Sequence, residues 1–269
     1  MSAGRIEGAL GAARAEGRVA LVAYITGGYP ERDSTPELVR ALVEGGVDAV
    51  ELGLPFSDPM ADGVSIQRST FRALQNGVTA KGVLEIVRKL RREGVVIPLI
   101  VMTYYNPILA YGQDAFIRDA VTAGVDGMIA VDVPPDEAQE LAARCRADGL
   151  DFIPLLAPTS TDERIALAAK EASGFVYCVS VAGVTGAREA LPEELGVFLG
   201  RVRKQTELPL AVGFGISRPE HVEALRGKAE AAIVGSAIVD VIEGSPRGEV
   251  GAKVREYVEV LTGRKKARI

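Results

Sequence analysis

Glu51 closes the short apolar run Ala49-Val50 and opens the stretch Glu51-Leu52-Gly53-Leu54-Pro55-Phe56-Ser57-Asp58-Pro59-Met60-Ala61-Asp62-Gly63. If the run is a strand, Glu51 shares its facing with Ala49 and points inward. A carboxylate there is costly unless it is hydrogen-bonded or functional, and no strand Lys or Arg is available to pair with it. Asp58 and Asp62 follow on a loop. Asp58 before Pro59 and Asp62 before Gly63 both suit turns. A second acid reaching the pocket of Glu51 would nevertheless suit acid–base work, with environment separating the two pKa values.

Other residue types narrow the chemistry. The single histidine, His221, lies just after Pro219 on a helical stretch, which argues against a histidine triad or a histidine-rich metal site. All eight lysines fall on helices, helix ends or the basic tail, and none sits in a strand where a Schiff-base amine belongs. Proton transfer then falls to Asp, Glu or Tyr. Three glycine-rich turns offer backbone amides: Gly183-Val184-Thr185-Gly186-Ala187, Gly213-Phe214-Gly215-Ile216-Ser217 and Val234-Gly235-Ser236-Ala237. Free N–H groups at a helix start attract a phosphate without a lysine.

These groups must be held by strands. Eight apolar runs rich in β-branched residues alternate with amphipathic segments: Val19–Ile25, Ala49–Leu52, Pro98–Met102, Gly127–Val131, Asp151–Leu155, Phe175–Val179, Leu208–Val212 and Ala231–Val234. The helices predicted between them are Glu37–Glu44 behind Ser34 and Thr35, Ala80–Arg92, Gln113–Ala123, Pro135–Asp148, Thr161–Ala172, Pro192–Gln205, Pro219–Leu225, Ala237–Glu243 and Gly251–Leu261. A leading helix, Arg5–Glu16, would cover the barrel bottom. Runs without period-2 alternation suit strands buried on both faces. Eight such units in 269 residues predict an α/β fold, a (β/α)8 TIM barrel in one domain, rather than a doubly wound sheet. Barrel active sites lie at the C-terminal strand ends, and phosphate sites often follow the seventh and eighth strands, where two of the glycine turns fall.

Composition is that of an ordinary globular protein, 48% hydrophobic and 25% charged. A net charge of −5 gives no field to recruit nucleic acid or an anionic membrane. The basic tail Arg264, Lys265, Lys266 and Arg268 reads as a frayed terminus. Two cysteines, Cys145 and Cys178, read as buried hydrophobes, and no signal-like segment or bilayer-length apolar run occurs. A soluble cytoplasmic enzyme is expected.

The segment Glu51 to Gln67 closely resembles the signature of the tryptophan synthase α subunit family. The resemblance extends to Tyr24-Ile25-Thr26-Gly27-Gly28-Tyr29-Pro30, Tyr104-Tyr105-Asn106-Pro107, Val131-Asp132-Val133-Pro134, Gly183–Ala187, Gly213–Ser217 and Gly235-Ser236. It implies retro-aldol cleavage of indole-3-glycerol phosphate to indole and glyceraldehyde 3-phosphate. By motif, Glu51 is the acid–base catalyst and Asp62 binds the indole N–H. Tyr24, Ile66, Met102, Tyr104, Asp132, Tyr177 and Thr185 match substrate-contacting positions, and Gly186, Gly215, Gly235 and Ser236 match the phosphate site. The resemblance further implies no cofactor in this chain and a β subunit carrying pyridoxal phosphate, in an α2β2 assembly. Pro55, Asp58, Pro59 and Pro134 match segments facing that partner, and Val181–Glu189 is the expected lid. One departure is Val64, where the family usually has proline. A different phosphate-binding barrel, such as a phosphosugar isomerase, would need another acid–base pair. A stand-alone lyase would share this site, and a non-catalytic regulatory barrel would tolerate loss of Glu51 or Asp62.

Overall fold

The computed structural model describes residues 4–180, 193–213 and 215–265. Among them nine strands form one parallel sheet: β1 (Ala20–Thr26), β2 (Ala49–Gly53), β3 (Leu99–Thr103), β4 (Gly127–Ala130), β5 (Asp151–Phe152), β6 (Leu155–Leu156), β7 (Val176–Val179), β8 (Leu210–Gly213) and β9 (Ala231–Val234). Their spatial order is β5-β4-β3-β2-β1-β9-β8-β7-β6. The two ends of this order, β5 and β6, are consecutive in the chain. Ile153 N–H donates to Met128 on one side (3.0 Å), and the Pro154 carbonyl accepts from Tyr177 N–H on the other (3.1 Å). The fifth predicted run therefore changes neighbours at Pro154, which has no N–H to give, and there the sheet closes into a TIM barrel.

The helices are α1 (Arg5–Ala15), α2 (Thr35–Gly45), α3 (Val64–Gln75), α4 (Ala80–Arg92), α5 (Tyr105–Tyr111), α6 (Gln113–Ala123), α7 (Gln139–Ala147), α8 (Asp162–Glu171), α9 (Glu193–Arg203), α10 (Pro219–Glu223), α11 (Ser236–Gly244) and α12 (Val250–Leu261). Ten correspond to predicted helices, while α3 and α5 were not foreseen. The start of α7 is a correction: Glu137 and Ala138 donate to the carbonyls of Pro134 and Pro135, so those prolines form a turn ahead of the helix. Ser34 precedes α2 without a side-chain cap, and the Thr35 hydroxyl instead accepts from Gly28 N–H at 2.7 Å.

Two apolar cores result. The larger lies between sheet and helices, with Leu42, Leu84, Val87, Phe116 and Phe198 among its buried members. The smaller fills the barrel with Ala20, Val22, Ala49, Ile100, Ile129, Ile153, Phe175, Ala211, Ala231 and Ile233. Ile6, Leu10 and Ala13 of α1 join it from below, so this helix plugs the N-terminal face as expected. The interior is a packed floor, and chemistry is left to the opposite mouth. Arg264 and Lys265, at the start of the basic tail, bond the Glu44 carbonyl and Glu256.

Candidate active site

Glu51 sits on β2 between Ala49 and Gly53, in register with Tyr24 of β1 and Ile100 of β3. Ala49 belongs to the barrel-interior core, so the two-residue period aims Glu51 at the same interior. Glu51 is 0% exposed, and among the described residues neither carboxyl oxygen has a hydrogen-bond partner. Most buried polar groups are bonded; this one is an orphan. Desolvation pushes its carboxyl from the ordinary 4.5 up to about 8, so Glu51 carries a proton at neutral pH.

Asp62 reaches the same mouth from the loop between β2 and α3. Ala61 N–H donates to the Tyr104 hydroxyl at 2.8 Å, and that hydroxyl favours the Asp62 anion. Gln67 Nε2 donates to the Asp62 carbonyl at 2.8 Å, and the Phe56 and Tyr104 rings lie 5.2 Å apart. These contacts pin the loop to the end of β3 and to α3. Burial raises the Asp62 carboxyl to about 6, against the lowering effect of the Tyr104 hydroxyl. The two acids therefore differ at neutral pH: Glu51 is a proton donor and Asp62 an anion.

Glycines shape the mouth. A Cβ on Gly53 would lie 2.2 Å from the Tyr24 hydroxyl, and one on Gly213 would lie 2.2 Å from the Tyr177 hydroxyl. Each tyrosine thus leans over the bare backbone of the next strand. Both are buried, and burial raises both phenols. Met102 lies in register with Gly53 and Ile129 at the upper edge of the interior core.

The glycine turn after β9 lies across β1. Gly235 caps α11 and Ser236 is its first residue. Hydrogen bonds back to the Gly235 carbonyl begin with Ile238 and Val239, which leaves the earlier amides of the turn for other acceptors. A Cβ at Gly235 would lie 3.4 Å from Tyr24 Cβ and 3.7 Å from Ile66 Cδ1, so this turn, Tyr24 and Ile66 meet. Gly215 follows β8 with a φ of 83°, a conformation that favours glycine.

Other candidates stand elsewhere. Asp132 is exposed, and its carboxylate accepts the Tyr105 N–H at the start of α5 (2.7 Å), so it is engaged as a helix cap. Pro55, Pro59 and Pro134 are half-buried and Asp58 is exposed. Thr185, Gly186 and the Val181–Glu189 lid lie outside the described residues. His221 Nδ1 accepts from Ser217 N–H at 3.3 Å, a turn-fastening role. Val64 proves to be the first residue of α3 rather than part of a loop. The sequence reading missed Thr26 and Ser69, which bond each other beside Tyr24. It also missed the tyrosine-accommodating roles of Gly53 and Gly213, whose signal was a glycine ending an apolar run.

A family profile of the tryptophan synthase alpha chain matches residues 10–267. The tryptophan synthase alpha chain of Roseiflexus sp. (strain RS-1) is 52% identical over 250 residues, covering 93% of this chain and 96% of that protein. A Saccharomyces cerevisiae protein named tryptophan synthase is 46% identical over 94% of this chain but only 36% of its own length. Among solved structures, tryptophan synthase subunit alpha from Legionella pneumophila superposes with a TM-score of 0.86 at 36% identity, covering 97% of this chain and 100% of that one. A chain of the tryptophan synthase complex from Pyrococcus furiosus gives 0.83 at 38% identity, covering 91% and 99%. With the mouth geometry and these matches in agreement, the chain belongs to the tryptophan synthase alpha chain family.

Proposed function

We propose that this chain is a lyase that cleaves indole-3-glycerol phosphate to indole and glyceraldehyde 3-phosphate, with Glu51 as the acid–base residue. The observation that carries the assignment is the orphaned, fully buried carboxyl of Glu51, protonated at neutral pH beside an ionised Asp62. Glu51 gives its proton to indole C3, and the ring becomes a cationic indolenine. Asp62, still an anion, accepts the indole N–H and stabilises that positive charge. The bond from C3 to the side chain then breaks, its electrons return to the ring, and the carbinol hydroxyl loses its proton as the aldehyde forms. Glu51 recovers a proton from that hydroxyl, so the cycle is balanced without a redox or metal partner. Excluding water keeps the unpaired carboxyl potent.

Tyr24, Ile66, Met102 and Tyr177 surround the indole in this reading, with Tyr104 holding Asp62. The amides near Gly215, Gly235 and Ser236, with Gly186, take the phosphate at the N-terminus of α11. Thr185 and Asp132 are carried as substrate-contacting positions by the motif alone.

The partner in this reading is a β subunit holding pyridoxal phosphate, docked at Pro55, Asp58, Pro59 and Pro134 in an α2β2 assembly. Support comes from the solved relatives that are chains of tryptophan synthase complexes. It also comes from exposed apolar side chains on the same rim, Met60 at 90% and Leu109 at 53%. A cytoplasmic location is supported by the buried, unpaired Cys145 and Cys178. Indole release from indole-3-glycerol phosphate, with and without a β subunit, is the direct test. Glu51→Gln should lower it by roughly 10²–10⁴-fold, and a variant within a few-fold of the parent removes Glu51 from this role.

A further inference from the structure

A phenol beside a buried carboxyl ordinarily gives it a hydrogen bond, because both are costly to leave unpaired. Tyr24 stands in register with Glu51, yet among the described residues Glu51 receives no hydrogen bond. The proton of Tyr24 goes elsewhere. The Tyr24 hydroxyl lies 3.2 Å from Thr26 Oγ1, which lies 2.6 Å from Ser69 Oγ, and Ser69 donates to the Ile66 carbonyl at 2.8 Å. These are three hydrogen bonds made by three hydroxyls, each with a single proton. A carbonyl cannot donate, so Ser69 must supply the last bond. Thr26 must then donate to Ser69, and Tyr24 must donate to Thr26. Only this direction fills all three. Thr26 and Ser69 are buried, so water does not compete for the protons.

We propose that the Thr26–Ser69–Ile66 chain makes Tyr24 a positioning residue for Glu51, by holding the phenolic proton away from the carboxyl and turning only a lone pair to the barrel mouth. The proposal rests on the reading of Glu51 as the acid. A donor at Glu51 would favour its anion and leave less of it protonated at neutral pH, and the chain withholds that donor. Among the described residues, Tyr24 from β1 and Tyr177 from β7 interact with Glu51, and both also feel Asp62 from the loop, with Tyr104 behind Asp62. From β3 it meets Ile100 and Met102, which do not titrate. None of these supplies a cation, so the direction of one phenolic proton is a large fraction of what Glu51 experiences.

Thr26→Val keeps the shape and removes the acceptor, which frees the Tyr24 proton to turn towards Glu51. The carboxyl of Glu51, followed by 13C NMR without substrate and assigned by its disappearance in Glu51→Gln, should titrate about one pH unit lower in Thr26→Val. The corresponding limb of the pH profile of indole release should move the same way. Thr26→Ser keeps the hydroxyl and should restore the parent titration. In a Tyr24→Phe background, Thr26→Val should leave the titration unmoved, because no phenolic proton remains to redirect. If Thr26→Val does not fold, Ser69→Ala removes the acceptor of the Thr26 proton, so the direction of the Tyr24 bond is no longer forced, and it should give a smaller shift of the same sign. A Thr26→Val titration within about 0.3 of a pH unit of the parent overturns the proposal. So does a shift that Thr26→Ser shares or that persists in the Tyr24→Phe background. Because the NMR titration needs no turnover, it decides this question even if Glu51→Gln proves active and the catalytic assignment fails.

Discussion

Replacing Glu51 by glutamine should make the protein more stable as well as inactive, by an amount that grows with pH. The side chain is fully buried without a partner, and its carboxyl is held at about 8 rather than the ordinary 4.5. Between those values the unfolded chain has released the proton and the folded chain still holds it. The folded state thus binds more protons, and the contribution of Glu51 to stability falls as pH rises through this window. Below about pH 4.5 the penalty is absent; it is complete above about pH 8. Integrated from about pH 5 to about pH 9, this one group costs on the order of 4 kcal/mol. Glutamine has nearly the same shape and no proton to lose, so the variant escapes the slope. Every other titrating group is common to both proteins and cancels in the difference. The assay is urea unfolding of parent and variant at pH 5, 7 and 9 without substrate. The gap in unfolding free energy should widen in favour of Glu51→Gln by several kcal/mol across the series. A gap that stays flat would mean that Glu51 ionises normally in the fold, and the argument from desolvation would collapse.

Three further outcomes follow from the mouth geometry. Gly235→Asp fits sterically, since the new Cβ meets Tyr24 Cβ at 3.4 Å, an ordinary contact; it sets a carboxylate at the start of α11. Binding of a phosphate-bearing substrate analogue, measured by calorimetry, should weaken by about tenfold or more, and unchanged affinity would move the phosphate site elsewhere. Gly213→Ala puts a methyl 2.2 Å from the Tyr177 hydroxyl, so the ring must shift. Indole release should drop by up to about 100-fold, as misplacing a group by an ångström can do, while circular dichroism stays native. Val64 opens α3 and is 69% exposed. A proline suits that first helical position, so Val64→Pro should gain about 0.4–1 kcal/mol in urea unfolding, and a loss would show that the local backbone rejects the ring.

What was legible in the sequence, and what was not, divides along physical lines. The barrel strands were visible because their residues are apolar on both faces. Four of their ends were read one residue early, since Thr26, Gly53, Thr103 and Gly213 are the polar or glycine residues that reach the mouth; Val179 and Val234 were read where they stand. Hydropathy cannot see the places where a site has replaced packing. Helix α3 stayed hidden for a related reason. Its buried face is Ser69, Thr70 and Ala73, while Phe71 and Val64 are exposed, so no apolar stripe marks it. Helix α5 is seven residues long, buries only Ile108 and contains Pro107. Glu51 was legible because a lone acid in an apolar run is expensive. Thr26 and Ser69 were not, because hydroxyls are common and only the fold brings them together across 43 positions.

The closed sheet also dictates the size of what the mouth can hold. Its order sets β9, β1 and β2 side by side, so the Gly235 turn and Glu51 stand on strands flanking β1. Two inter-strand spacings amount to about 10 Å. Tyr24 of β1 lies between them, touching the Gly235 turn on one side and standing in register with Glu51 on the other. In the proposed reading, a phosphate held at α11 must therefore reach over one strand before its other end meets the acid. A three-carbon chain with its ester oxygen covers most of that span, and the Glu51 side chain covers much of the rest. The carboxyl then arrives at the carbon joined to the ring, while Asp62, carried by the loop above β2, meets the ring's far edge. A shorter linker would leave the reacting carbon out of reach of Glu51, and a longer one would push the ring past Asp62. On the proposed assignment the choice of substrate is a property of strand order: backbone amides on one strand measure the molecule against a carboxyl two strands away.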